Sequence, residues 1–189
     1  MKRLLITGHT SGLGNAVYNR FKDNYDCTGI SRSTGYDLSV RDTVDKVVEM
    51  SLAFDHVINV CKVFPAQVDL LLEIHKIWGN NNKYGKIISI GGLTTGFSWD
   101  LIRQAPVHQT DYIAAKHTLL KAHNDLSTIH PYNAQPQSVL IRPLNIGNKG
   151  NDRDSEPFNT EEEIVDLIQM TLEKNYYIST IDVRRLKCS

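Results

Sequence analysis

The sequence predicts one α/β domain spanning residues 1–189, a doubly wound and mostly parallel sheet of about seven strands with helices on both faces. Three observations predict it. Short apolar runs alternate with longer helical patterns along the whole chain, which is the signature of strand–helix–strand units. The composition, 41 % hydrophobic and 22 % charged, is that of an ordinary globular protein. A chain of 189 residues is also long enough to bury about 70 % of its unfolded surface in one core.

The elements follow in order. Strand-like runs lie at Leu4–Ile6, Cys27–Ile30, Val57–Val60, Lys86–Ile90, Ser138–Ile141 and Tyr177–Ile181. Helical patterns fill the gaps near 13–24, 42–53, 66–82, 111–129 and 160–174, and the last opens on the capping box Thr160-x-x-Glu163. The polar stretch 147–159, rich in turn formers, reads as a short mobile lid loop within the domain.

Charge and cysteine usage narrow the function classes. Lys plus Arg is 21 and Asp plus Glu is 21, so no basic surface is expected for nucleic acid or anionic membrane. Net neutrality favours self-association. Three cysteines at wide spacing argue against a disulfide framework and for a reducing cytoplasm. The apolar stretch after Lys2-Arg3 is too short for a signal peptide, and no run approaches the ~20 residues of a membrane span. The seven histidines show no HxxxH or HExxH spacing. Asp152, Asp154 and Glu156 alternate like the start of a calcium loop, but Pro157 stands where glycine is needed, so no metal site is expected.

The segment ITGHTSGLG, between the first strand and the first helix, carries Gly8, Gly12 and Gly14. A helix N-terminus offers free N–H groups and a partial positive charge, and glycines let an anion approach without meeting a Cβ. This placement assigns the turn Gly8, Thr10, Ser11, Gly12, Leu13 and Gly14 to the pyrophosphate of a dinucleotide on a Rossmann-type sheet. The second strand ends in ISRS, and Arg32 there suits a ribose 2′-phosphate, favouring NADP(H) while leaving NAD(H) possible. Further on, Tyr112 and Lys116 are four apart on one helix face. An ammonium near a phenol favours the phenolate, so the pair is expected to acidify the tyrosine for proton exchange with a carbonyl or alcohol. Tyr18 and Lys22 share the spacing but lie along the first helix, where an ordinary surface pair is expected.

Together these motifs resemble the short-chain dehydrogenase/reductase family over nearly the whole chain. TGxxxGxG is matched by Thr7-Gly8 through Gly12-x-Gly14, YxxxK by Tyr112 and Lys116, and the nicotinamide loop by IRPLNIG with Pro143 and Ile146. The resemblance implies that Asp37, after a third strand, contacts adenine and that Asn59, first residue of an altered NNAG, lies on the ribose side of a strand end. It implies that Lys116 binds the nicotinamide ribose and acidifies Tyr112, while Ile146 presents main-chain groups to the carboxamide. It further implies a small-molecule carbonyl or alcohol substrate and a homodimer or homotetramer.

The sequence also departs from that pattern. NNAG has become Asn59-Val60-Cys61-Lys62, and the usual active-site asparagine on the following helix has no secure counterpart, since Asn80, Asn81 and Asn82 come late. Gly92 stands at the catalytic serine position. A substitute hydroxyl is expected from Thr95 or Ser98, with Thr94 beside them. The departures leave a second reading open, a dinucleotide-binding redox sensor or binding module without turnover.

Overall fold

The computed structural model describes residues 1–92, 107–129, 136–143, 146, 159–175 and 177–183. Among them run β1 (Arg3–Thr7), α1 (Gly12–Phe21), β2 (Asp26–Ile30), α2 (Arg41–Ser51), β3 (His56–Asn59) and α3 (Ala66–Asn80). The chain continues through β4 (Lys86–Ile90), α4 (Val107–Ile129), β5 (Gln137–Pro143), α5 (Glu161–Glu173) and β6 (Thr180–Val183). The sheet order is β2-β1-β3-β4-β5-β6, and every neighbouring pair is parallel.

The alternation of side chains along the strands builds two cores. From β1, Leu4 and Ile6 point into one core while Leu5 enters the other. The first core packs Val17, Phe21, Ile164 and Ile168 of α1 and α5 on the sheet, and the second packs α2, α3 and α4 on the opposite face. A strand covered on both sides must be apolar throughout, which is why these strands read as continuous runs. In α1 the stripe Leu13, Val17 and Phe21 repeats every four residues and is buried, as a helix lying on a sheet requires.

The described sheet has six strands where about seven were expected. The strand that the resemblance places ahead of Asp37 does not form. Between β2 and α2 the chain makes one 3-10 turn over Arg32–Thr34, then passes Gly35 in the left-handed region at φ 88°. Asp37 continues the turning by accepting hydrogen bonds from the Ser39 N–H at 3.0 Å and the Ser39 hydroxyl at 2.7 Å. The last strand also begins later than expected, at Thr180, and ahead of it the Tyr177 hydroxyl donates to the Ser138 carbonyl at 3.0 Å. The capping box of α5 is formed: the Glu163 N–H donates to Thr160 Oγ1 at 3.2 Å, and the Thr160 N–H to Glu163 Oε2 at 2.9 Å. Among the described residues no helix is long and apolar enough to cross a membrane.

Candidate functional site

The sheet order reverses direction at β1, which has β2 on one side and β3 on the other. The helix after β1 packs on one face and the helix after β3 on the opposite face, which opens a crevice at the carboxyl ends of the strands. A cleft of about 470 Å³ lies there, lined by the glycine turn on one wall and by Tyr112 and Lys116 on another.

The glycine turn is built as its spacing suggests. Gly8 and Gly12 adopt φ of 73° and 52°, which residues with a Cβ rarely do. The Gly8 N–H donates to the Ile30 carbonyl at 2.8 Å, pinning the turn to β2. A Cβ on Gly14 would stand 2.1 Å from the Gly8 carbonyl oxygen, so only glycine allows α1 to start this close to the strand end. Ser11, at the N-cap, makes no capping bond with its side chain, and the first turn of α1 carries no acidic residue. That helix end therefore keeps N–H groups and positive potential for an anion, and Gly12 lines the cleft in front of it. Glu161 opposes this: its carboxylate oxygen lies 3.5 Å from where a Gly12 Cβ would be. Lys62 lines the same cleft.

Beneath the cleft a buried polar network joins three strands to two helices. Thr7 Oγ1 accepts from the Val60 and Cys61 N–H groups, each at 3.0 Å, and donates to Asn59 Oδ1 at 3.3 Å. Asn59 Nδ2 donates to the Gln67 carbonyl at 2.8 Å. Gln67 Nε2 in turn reaches the Asn59 and Ile90 carbonyls, each at 3.1 Å. Its Oε1 accepts from Lys116 Nζ at 2.7 Å, and Lys116 also donates to the Ile90 carbonyl at 2.9 Å. Gln67 is thus the side chain on α3 that holds Lys116. Nothing in the spacing announces it, because the two residues lie 49 positions apart and meet only through the sheet.

The pair on α4 differs electrostatically from expectation. Lys116 is 4 % exposed, and burial pulls its ammonium down to about 8, with nearby Lys62 adding to the fall and Cys61 opposing it. Its Nζ stands over the Tyr112 ring, 5.5 Å from the centroid. Burial raises the Tyr112 phenol above its ordinary value near 10. The shift in the protein alone is thus opposite to the expected acidification: burial is its cause, while the lysine sits against the ring face and directs its hydrogen bonds to Gln67 and the Ile90 carbonyl.

The other sequence-derived residues divide as follows. Gly8, Ser11, Gly12, Leu13, Gly14, Pro143 and Ile146 line the cleft. Thr10 is exposed at the tip of the turn and does not. Asn59 does not either: it is 1 % exposed, with both ends of its amide engaged, so it braces the strand ends and presents nothing to a ribose. Arg32 and Asp37 follow β2 outside the lining of the cleft, and the Ser39 hydrogen bonds, with a smaller contribution from Arg32, hold the Asp37 carboxyl below the usual carboxylate range. Ile146 forms an isolated parallel bridge with Asn159, which ties together the two ends of the segment between them. Thr94, Thr95, Ser98 and residues 147–158 lie outside the described residues. Gly92 lines the cleft, so no side chain hydroxyl comes from that position. Tyr18 leans back on His9 of the glycine turn, ring centroids 5.3 Å apart, and is more than a surface residue. No group of three or more His, Cys, Asp or Glu among the described residues is placed to hold a metal ion.

No family model matches the sequence, and no curated protein matches it. Solved structures do match the fold. A 4-hydroxyisoleucine dehydrogenase complexed with NADH superposes with a TM-score of 0.73 at 14 % identity, over 97 % of each chain. A short chain dehydrogenase from Burkholderia cenocepacia in complex with NADP gives 0.70 at 12 % identity, over 97 % of this chain and 88 % of that one. A 3-ketoacyl-(acyl-carrier-protein) reductase from Brucella melitensis complexed with NADH gives 0.67 at 16 % identity, over 96 % of each. This chain has the fold of the short-chain dehydrogenases/reductases.

Proposed function

We propose that the protein is an NADP(H)-dependent oxidoreductase that interconverts a carbonyl and an alcohol on a small molecule. The observation that carries the reading is one cleft at the sheet's switch point with a glycine-rich, uncapped helix terminus on one wall and Tyr112 with Lys116 on another. The glycine turn would hold the diphosphate, and Arg32 would take the 2′-phosphate where the adenosine end passes β2. Pro143 and Ile146 would border the nicotinamide. When bound, the dinucleotide supplies or accepts the hydride.

The chain's own residues do the rest. A carbonyl oxygen that gains electron density as its carbon is reduced takes the proton of the Tyr112 hydroxyl, and the alcohol O–H forms as the tyrosine O–H breaks. Burial raises the phenol above its ordinary value, so at neutral pH it holds the proton that the donor role needs. Lys116, fixed by Gln67 and Ile90, stands over the ring, and its positive charge would stabilise the phenolate left by the transfer until a proton from solvent restores the phenol. The fold resemblance to dehydrogenases solved with NADH or NADP supports the same reading.

A second reading, cofactor binding without turnover, is favoured by Gly92 at the serine position and by the absence of acidification at Tyr112. The two part on a carbonyl screen for NADPH oxidation repeated with Tyr112→Phe. Turnover that depends on Tyr112 supports the enzyme. Saturable NADPH binding with no turnover on any substrate supports the sensor.

A further inference from the structure

A smaller pocket of about 200 Å³ adjoins the cleft and shares Lys62, Tyr112 and Lys116 with it. Its remaining walls are mainly apolar: Val63, Phe64, Val68 and Ala115. Phe64 is 52 % exposed at this pocket. We infer that this pocket receives the body of a short aliphatic oxo or hydroxy acid and that Lys62 binds its carboxylate, which makes Lys62 the specificity-determining residue of the proposed reaction. The inference rests on the oxidoreductase reading of the adjoining cleft.

Three features support it. First, of the two lysines on the shared lining, Lys116 is committed to Gln67 and Ile90, whereas Lys62 has no hydrogen bond or ion pair among the described residues. Lys62 is solvent-exposed, so its ammonium is hydrated at the rim of a partly apolar cavity and can exchange that water for an anion brought by a ligand. Second, Asp111 lines the same pocket and opposes a second carboxylate, which selects a monoacid. Third, the volume lies below the ~300 Å³ at which pockets for drug-sized ligands begin, which fits a chain of a few carbons. Tyr112 lines both cavities, so a group held in the smaller one can offer its oxygen to the phenol while its carbon faces the larger. Lys62 stands where the resemblance has glycine, so the feature belongs to this chain.

Lys62 also lines the larger cleft, and the diphosphate of the dinucleotide is a rival source of anionic charge for it. The test separates the two. Hexanoate and its neutral isostere hexanamide are titrated against the full chain by saturation-transfer NMR, with NADPH titrated by fluorescence in parallel. Wild type, Lys62→Met and Lys62→Arg are compared. The expected result is hexanoate binding at least about tenfold tighter than hexanamide, a preference lost in Lys62→Met and restored in Lys62→Arg, with NADPH affinity within about twofold throughout. Equal binding of the two ligands by wild type overturns the proposal, as does a hexanoate preference that survives Lys62→Met. A tenfold loss of NADPH affinity in Lys62→Met with the preference intact assigns the lysine to the diphosphate and also overturns it. Discrimination by Lys62 in a wild type that binds no NADPH supports the acid pocket while removing the oxidoreductase reading.

Discussion

Glu161 is the group whose removal should strengthen cofactor binding. Its carboxylate oxygen lies 3.5 Å from the Cβ position of Gly12, in front of the helix terminus proposed to receive the diphosphate. A phosphate oxygen resting on that turn would come within ~5 Å of it. Two unit charges at ~5 Å repel by ~0.8 kcal/mol in water and ~3 kcal/mol at an effective dielectric of ~20. The side chain is partly exposed and can swing away, so the lower end applies, about 1 kcal/mol or a fivefold change in affinity. Glu161→Gln should therefore tighten NADPH about fivefold in a fluorescence titration at low salt, and the gain should shrink towards nothing in ~1 M salt, where the screening length falls to ~3 Å. Glu162→Gln is the control: it removes the same charge from the same helix turn at a residue that does not line the cleft. An unchanged or weaker affinity in Glu161→Gln, or an equal gain in Glu162→Gln, would refute the reasoning.

Other perturbations test other parts of the site. Gly14→Ala places a methyl group 2.1 Å from the Gly8 carbonyl oxygen, and because backbone must move to relieve it, the urea midpoint should fall by the equivalent of about 1–3 kcal/mol while dinucleotide affinity also drops. Tyr112 is 44 % exposed, so Tyr112→Phe should leave stability within about 0.5 kcal/mol and lower turnover by roughly 10²–10⁴-fold; a smaller loss with the best substrate found would remove the hydroxyl from the chemistry. Lys116 gives up its proton at about 8 when folded but near ~10.4 when unfolded, so between those values the unfolded chain binds more protons and stability rises with pH. Measured against Lys116→Met to cancel other groups, that rise should be about 1.6 kcal/mol from pH 8 to pH 9.5, and a flat difference would show that the lysine is not held in a desolvated state.

The fold was legible because burial on both faces writes strands as unbroken apolar runs, as in LLI of β1 and VLI of β5. Where an edge strand is less buried, as at β6, polar Ser179 and Thr180 blurred the boundary, and its start moved by three residues from 177 to 180. The glycine turn was legible from its place between the first strand and the first helix, where positive φ at Gly8 and Gly12 and close backbone approach at Gly14 favour glycine. Two features of the site were not. The i, i+4 spacing of Tyr112 and Lys116 fixes their shared face, but the sign of the pKa shift depends on dielectric and on where the ammonium's hydrogen bonds go, which is set by Gln67. Asn59 carried the right residue type in the right place and still turned inward, because Thr7 and the Gln67 carbonyl use its amide below the cleft.

The central claim is that the turn Gly8–Gly14 and the uncapped start of α1 cradle a nicotinamide dinucleotide. Parallel equilibrium titrations of NADPH and NADH into the purified protein, followed by nicotinamide fluorescence, test it most directly. The account predicts saturable binding of both with NADPH the tighter, and loss of that margin in Arg32→Ala. No saturable binding of either reduced dinucleotide would contradict it.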